Sequence, residues 1–472
     1  RVSPMPPNVS QNLRAGRRVR ALVAVPALAA ALVGVVGPAR AQAGTPVLQA
    51  RASSARDATQ RGLVVSLRDG GRRYVQVART ASVRTTLAQL RARPGVRWVR
   101  SRVVAHAAAV EPYLPNDPGE SGIAAGWQQL QWNFLSGVGV DAPRAWANLR
   151  AVGHPGGRGV IIAALDTGAA YANRDGLERS PDFRPAQFVK GYDFCAHDGT
   201  TLACSGRDQY PEDRNGHGTH VAGTLAEATD NGVGLTGLAY GARIMPVKVL
   251  NSDGAGDESS IASGIRFAAT HGADIINMSL EFDADVLADE IPDILDALSY
   301  ARRQGVLVIG ASGNEGRTAV AYPARASSVL SVGATTEHGC VSDYSNQGTR
   351  LDLVAPGGGK DAAVPAGGLC QPQPKAGRDI FQETYRGRHN RAFGFPTDYE
   401  GTSMAAPAVS ATAALVIASG VLGPNPTPDA LKARLKATAR DLGPPGVDEQ
   451  YGAGLIDAGA ATDPTVPVIA TP

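Results

Sequence analysis

Aromatic side chains make up only 5% of this 472-residue chain, while glycine occurs 56 times and proline 32 times. That balance excludes a coiled coil or a plain helical bundle and fits a loop-rich globular protein. Cysteine is equally scarce. Cys195, Cys204, Cys340 and Cys370 are the whole set, and no CxxC spacing offers a zinc or thioredoxin-like site. Of the three possible pairings, Cys195 with Cys204 and Cys340 with Cys370 is favoured because each pair falls within one irregular stretch; free buried thiols are the alternative. No internal repeat or low-complexity tract follows residue 43, and no nucleic-acid-binding motif occurs.

The chain does have length, with 43% hydrophobic and 19% charged residues, enough for one large globular domain plus processing segments. Its net charge of +3 hides a partition. Residues 44–110 carry 13 Arg against 2 Asp, or +11, whereas 111–472 hold 27 Lys and Arg against 41 Asp and Glu, or −14. Fields of opposite sign attract, which suits a prosegment docked on its own enzyme; a basic segment could instead bind nucleic acid, for which no motif speaks.

Arg14, Arg17, Arg18 and Arg20 precede the apolar run ALVAVPALAAALVGVVG at 21–37, and small residues follow in PARAQA. This pattern predicts an export signal over 1–43, cut after Ala41 or Ala43, and a secreted product. The run contains Pro26 and is short for a bilayer span, so no stable membrane anchor is expected. Residues 62–106 read as strand, hairpin, helix and strand, a small α+β module within 44–110. The Ala-, Pro- and Gly-rich stretch AAAVEPYLPNDPGESG after it is a natural linker, and a Pro-rich flexible tail is expected at 463–472. From about residue 138 short apolar strands alternate with helices, which predicts a parallel sheet with helices on both faces across a domain spanning 111–462. Chemistry is then expected at the strand ends.

Three local sequences stand out there: LDTG at 165–168, NGHGTHVAGT at 215–224 and GTSMAAPAVS at 401–410. An Asp ending an apolar strand, a His opening a helix and a Ser opening another can meet at one rim of such a sheet. A serine hydroxyl attacks a carbonyl only when a base takes its proton. His217 has the basicity for that, Asp166 would orient it, and Ser403 would be the nucleophile. A single Asp-Thr-Gly also occurs where two carboxylates share a proton, but no second copy is present. His220 is the competing histidine; its deeper position in the helix suits packing or hydrogen bonding.

Asp, His and Ser in this order, within these motifs, resemble the subtilisin family of serine peptidases over about residues 131–460. The resemblance implies a three-layer α/β fold with a mostly parallel central sheet, preceded by a small α+β propeptide that assists folding and blocks the site. It implies hydrolysis of internal peptide bonds in proteins and peptides through an acyl-enzyme, by an enzyme whose own propeptide is its first inhibitor; a monomer is the default expectation. In GASGNEG at 310–316 it makes Asn314 the oxyanion-stabilising amide. It makes Ser279 and Leu280 one wall of the specificity pocket, with Gly310, Ala311, Ser312 and Gly313 opposite. Glu281 departs from the glycine common there, and its carboxylate would favour basic substrate side chains or else face solvent. A structural calcium ion is implied on Gln131, Asp182 and Asn231 with the carbonyls of Thr229, Val233 and Leu235, an oxygen-only shell that suits a hard cation. Residues 357–398 depart from the family pattern as a long insertion expected at the surface. The rival readings are a processing protease of narrow specificity and a catalytically silent binding module.

Overall fold

The computed structural model describes residues 62–77, 82–101, 111–196, 204, 206–387 and 390–467. The export signal expected at 1–43 lies outside them, as does the end of the tail. The chain divides into two compact units, with the break after Ala107.

In the first unit, alternating apolar residues pair β1 (Gly62–Leu67) with β2 (Arg72–Gln76) antiparallel. Helix α1 (Val83–Arg91) follows, capped by Ser82, whose side chain accepts the Thr85 N–H. β3 (Val96–Ser101) then closes on the other edge of β1 to give the order β2-β1-β3. Its core is Leu63, Val65, Val77 and Val99, with Leu87 and Leu90 of the helix packed against them. Among the described residues, four buried apolar side chains make a small core.

The second unit is built from α2 (Ala142–Ala151), β4 (Ile161–Asp166), β5 (Tyr192–Asp193), α3 (His217–Ala226), β6 (Arg243–Lys248), α4 (Glu258–Thr270), β7 (Ile275–Met278), α5 (Pro292–Arg303), β8 (Leu307–Ala311), β9 (Val329–Thr335), β10 (Leu353–Pro356), β11 (Thr384–Gly387), β12 (Asn390–Gly394), α6 (Thr402–Ser419), α7 (Pro428–Thr438) and α8 (Ala458–Ala461). Seven strands form one sheet in the order β10-β9-β8-β7-β4-β6-β5, every adjacent pair parallel. Every residue of β7, β8 and β9 is buried, because helices cover both faces of a parallel sheet. Ile261 and Ile265 of α4 and Ile294 and Leu298 of α5 fill the core on one face. Trp146 of α2, Val221 and Leu225 of α3 and the alanine-rich α6 fill it on the other. The result is the expected three-layer α/β fold. Helix α6 is long and apolar enough to cross a bilayer, but 78% of it is buried, as befits a core helix.

Disulfides join Cys195 to Cys204 and Cys340 to Cys370. The second anchors the start of the 357–398 insertion. Much of that segment lies at the surface as expected, with most of 365–376 exposed, but Ile380, Gln382, Glu383, Thr384 and Tyr385 are buried. Thr384 Oγ1 donates to the Gly216 carbonyl (2.6 Å) and Tyr385 Oη to that of Asp213 (3.3 Å), so the insertion is sewn to the turn that opens α3.

Candidate active site

Asp166 is the last residue of β4, at the carboxyl edge of the sheet, and is wholly buried. Its Oδ1 accepts the Thr167 N–H (2.7 Å) and faces His217 Nδ1 at 2.8 Å. His217 opens α3 after Gly216, whose φ of 109° turns the chain into the helix in a region that side chains other than glycine rarely enter. Burial works against a charge on the His217 imidazole, but the charge and hydrogen bond of Asp166, with Asp213 further off, outweigh it and hold His217 above its ordinary value of 6.5. Asp213 sets this geometry. It accepts from Thr167 Oγ1 (2.9 Å), from the N–H groups of Asn215 (2.8 Å), Gly216 (2.9 Å) and Thr219 (2.9 Å), and from Thr219 Oγ1 (2.6 Å). Sequence reasoning missed it, although an acid four residues before the His in EDRNGHGTH was a visible signal. His220 is the packing residue expected: it stacks on Tyr399 with ring centroids 4.2 Å apart, and its Nε2 donates to the Ile380 carbonyl (2.9 Å). Burial pushes it down to about 3.

Ser403 sits in the first turn of α6, where backbone N–H groups lack helical partners. Four residues on, Pro407 has no N–H, so the Ser403 carbonyl loses the helical hydrogen bond it would receive there. The hydroxyl of Ser279 replaces it, donating to that carbonyl at 2.7 Å. Asn277 of β7 holds the hydroxyl in turn, its Nδ2 donating to Ser279 Oγ (3.0 Å) while its Oδ1 accepts from Ser410 Oγ (2.8 Å). The proline thus ties the helix of Ser403 to the end of β7. Ser403 Oγ itself donates to the Ser279 carbonyl (3.3 Å); among the described hydrogen bonds none joins it to His217, and a turn about its Cα–Cβ bond is what pairing would need.

A cleft of about 670 Å³ runs past both side chains, lined by His217, Ser279, Leu280, Glu281 and Ser403 and floored by 253–256. Gly310, Ala311, Ser312 and Gly313 do not line it. Glu281 fills the space between: a Cβ on Gly313 would come within 2.7 Å of Glu281 Oε2. Its Oε1 accepts from Asn314 Nδ2 (3.1 Å), while Asn314 Oδ1 accepts from the Thr402 N–H (2.8 Å) and hydroxyl (3.0 Å) at the start of α6. Burial, with Glu315 and Asp283 adding repulsion against the bonds from Asn314, pushes the Glu281 carboxyl up to about 6.

The residues read as calcium ligands fall in one region. Asp182 Oδ1 accepts from Asn231 Nδ2 (2.6 Å) and Oδ2 from the Leu235 N–H (2.9 Å). Asn231 Oδ1 is turned to the Val233 N–H (2.9 Å) and Gln131 Oε1 to that of Thr236 (3.1 Å), so both amide oxygens are occupied within the protein. Thr229 is buried and Val233 is 40% exposed. Two acids absent from the expected set, Glu227 and Glu383, converge on Asp182 instead.

The subtilase family profile matches residues 157–454. Subtilisin BL and subtilisin Savinase of Lederbergia lenta are each 34% identical to this chain over 309 residues, 65% of this chain and 91% of theirs. A solved structure of a protease from Pseudoalteromonas arctica PAMC 21717 superposes with a TM-score of 0.59 at 30% identity, covering 74% of this chain and 99% of its own. With half the chain matched by one family and its relatives covered almost end to end, the chain belongs to the subtilases and is a serine endopeptidase.

Proposed function

We propose that this is a secreted endopeptidase that matures itself by losing residues 44 to about 110 and cuts proteins through an acyl-enzyme on Ser403. The observation that carries the assignment is the His217 Nδ1 to Asp166 Oδ1 contact of 2.8 Å at the rim of the cleft that Ser403 lines. Asp166 fixes the tautomer in which Nδ1 holds a proton and Nε2 is free to accept one. His217 takes the hydroxyl proton as Ser403 Oγ bonds to the substrate carbonyl carbon, then returns it to the departing amine as the peptide C–N bond breaks. Water repeats the sequence on the ester and restores the serine. The Ser403 N–H and Asn314 Nδ2 face the oxygen that becomes negative in between. The small, heavily basic first unit is the inhibitor removed on maturation, and the mature enzyme acts as a monomer.

A serine-directed fluorophosphonate tests the assignment directly. The matured protein should carry the label on Ser403, read by peptide mass spectrometry; an unlabelled Ser403 at saturating reagent would sink it and revive a silent binding module.

Glu281 then governs specificity. Above about pH 6 its carboxylate holds the amide proton that Asn314 needs for the oxyanion. A basic side chain beside the scissile bond draws the carboxylate away by pairing with it, whereas an apolar one must displace it uncompensated. Glu281→Gly should lower the ratio of kcat/KM for Arg over Phe peptides by about tenfold, the worth of one partly screened charge-assisted hydrogen bond. Wild type should lose the same preference below about pH 6, where the carboxyl takes up its proton. An unchanged ratio in the variant removes Glu281 from the specificity reading.

Calcium belongs to the same proposal as a structural ion beside the 229–235 loop. Of the side chains named from sequence, Asp182 is the one that brings negative charge, and backbone carbonyls of Thr229, Val233 and Leu235 would add neutral oxygens. The ion would rigidify the loop behind α3 and takes no part in bond cleavage.

A further inference from the structure

We infer that the calcium ion sits on a carboxylate cage of Asp182, Glu227 and Glu383, two of whose members lie outside the loop shell expected from sequence. Three carboxylate oxygens, one from each residue, lie within 4.8 Å of one another. Oxygens so placed lie at most about 2.8 Å from a common centre, against about 2.3–2.6 Å for calcium–oxygen contacts, so a small closure of the side chains lets one calcium reach all three. All three side chains are more than nine-tenths buried, at 0% exposure for Asp182 and Glu227 and 7% for Glu383. Glu227 Oε1 and Glu383 Oε2 have no hydrogen-bond partner, and no Lys or Arg forms an ion pair with any of the three among the described residues. Like charges so placed, in the absence of a cation, must take up protons. Burial pushes Asp182 up to about 8, Glu383 up to about 7 and Glu227 well above its usual range.

The surroundings are shaped to the cluster. Gly234, at a φ of 53°, closes the loop over it, and a Cβ there would lie 2.3 Å from Asp182 Oδ2 and 3.1 Å from Glu383 Oε2. Gln382, its amide oriented by its neighbours, donates to Glu227 Oε2 (2.6 Å) and accepts from Gln131 Nε2 (3.1 Å), leaving Oε1 for the ion. The donors are oxygens alone, with no His or Cys, which favours a hard cation; a cage with three buried carboxylates suits calcium better than magnesium, which is usually held by one or two and keeps its waters. The three ligands come from the loop after β4, the end of α3 and the 357–398 insertion. The ion therefore fastens the insertion to the helix that carries His217.

The inference takes from the calcium reading only the identity of the ion and does not depend on peptidase activity. The test uses full-length Ser403→Ala protein, stripped with chelator and titrated with calcium chloride by calorimetry, with thermal melts in parallel. Glu383→Gln and Glu227→Gln in that background should each bind one ion fewer, or bind at least about tenfold more weakly. Each should also melt at a higher temperature than the parent without calcium, because one carboxyl fewer must be buried against its like neighbours, yet gain less from calcium. Binding equal to the parent in both variants would overturn the cage while leaving a loop-held calcium standing. A parent that binds no calcium overturns both. Should Glu227→Gln fail to fold, Glu383→Gln alone decides.

Discussion

Ser403→Ala protein should turn over a peptide substrate about 10⁶-fold more slowly than wild type, the size measured for removing the nucleophile from subtilisin. Without Oγ, His217 has no proton to accept, and only binding and the oxyanion donors remain to assist water. The fold should barely notice. The long 3.3 Å bond from Oγ to Ser279 is the one lost, while the Ser279 hydroxyl still reaches the Ser403 carbonyl at 2.7 Å. Compared over the same residues, with the leading segment removed from both, thermal melts should therefore agree to within about 0.5 kcal/mol. Intact mass adds a second readout, since wild type should lose residues 44 to about 110 while the variant keeps them. A variant within a hundredfold of wild type places the nucleophile elsewhere. Loss of the segment from both proteins assigns maturation to another protease and leaves the chemistry untouched.

Asp166→Asn should lower kcat by about 10⁴-fold, or about 5 kcal/mol of transition-state stabilisation, with KM nearly unchanged. An asparagine amide facing Nδ1 donates where the carboxylate accepted, so the imidazole takes the opposite tautomer and presents Nε2–H to the serine. Asp166 does not line the cleft, which is why substrate affinity should hold. The acid limb of kcat/KM follows the free enzyme's imidazole, which must be neutral to act as base, so activity rises with pH through its pKa. In wild type that limb should lie above 6.5, because Asp166 outweighs burial. In the variant only burial and distant Asp213 remain, and the limb should move to lower pH. A limb that stays in place would mean the carboxylate does not act through His217.

The parts legible in the sequence are those where a short contiguous motif answers a fold requirement and a chemical one together. β4 ends at Asp166 because the apolar run gives way at the carboxyl edge of the sheet to a buried carboxylate partnered by Thr167 and His217, and α3 and α6 begin at their motifs because glycine admits the turns. Alternating strands and helices foretold a parallel sheet, but the place of β7 beside β4, with the 108 residues of 167–274 between them, follows from packing rather than local pattern. What stayed hidden were contacts between distant polar residues. Glu281 meets Asn314 across 33 residues, and Glu383 meets Asp182 only because the 380–385 stretch of an otherwise largely exposed insertion turns inward against α3. No periodicity encodes such meetings. The bond of Ser279 to the Ser403 carbonyl was implicit in Pro407, since a proline inside a helix leaves an acceptor that something must satisfy.

That last bond has a partner running the other way. Ser279 donates to the carbonyl of Ser403, and Ser403 donates to the carbonyl of Ser279. Two residues joined twice cannot slide past each other, so under the proposed function the wall that receives substrate and the atom that attacks it share one frame of reference. A peptide laid along Ser279 to Glu281 is measured from the side chain it lodges in the cleft, and the scissile bond falls at a fixed offset from that point however far the polypeptide continues in either direction. The pair works as a ruler with its zero mark on the substrate rather than on a chain end, and such a ruler selects internal bonds.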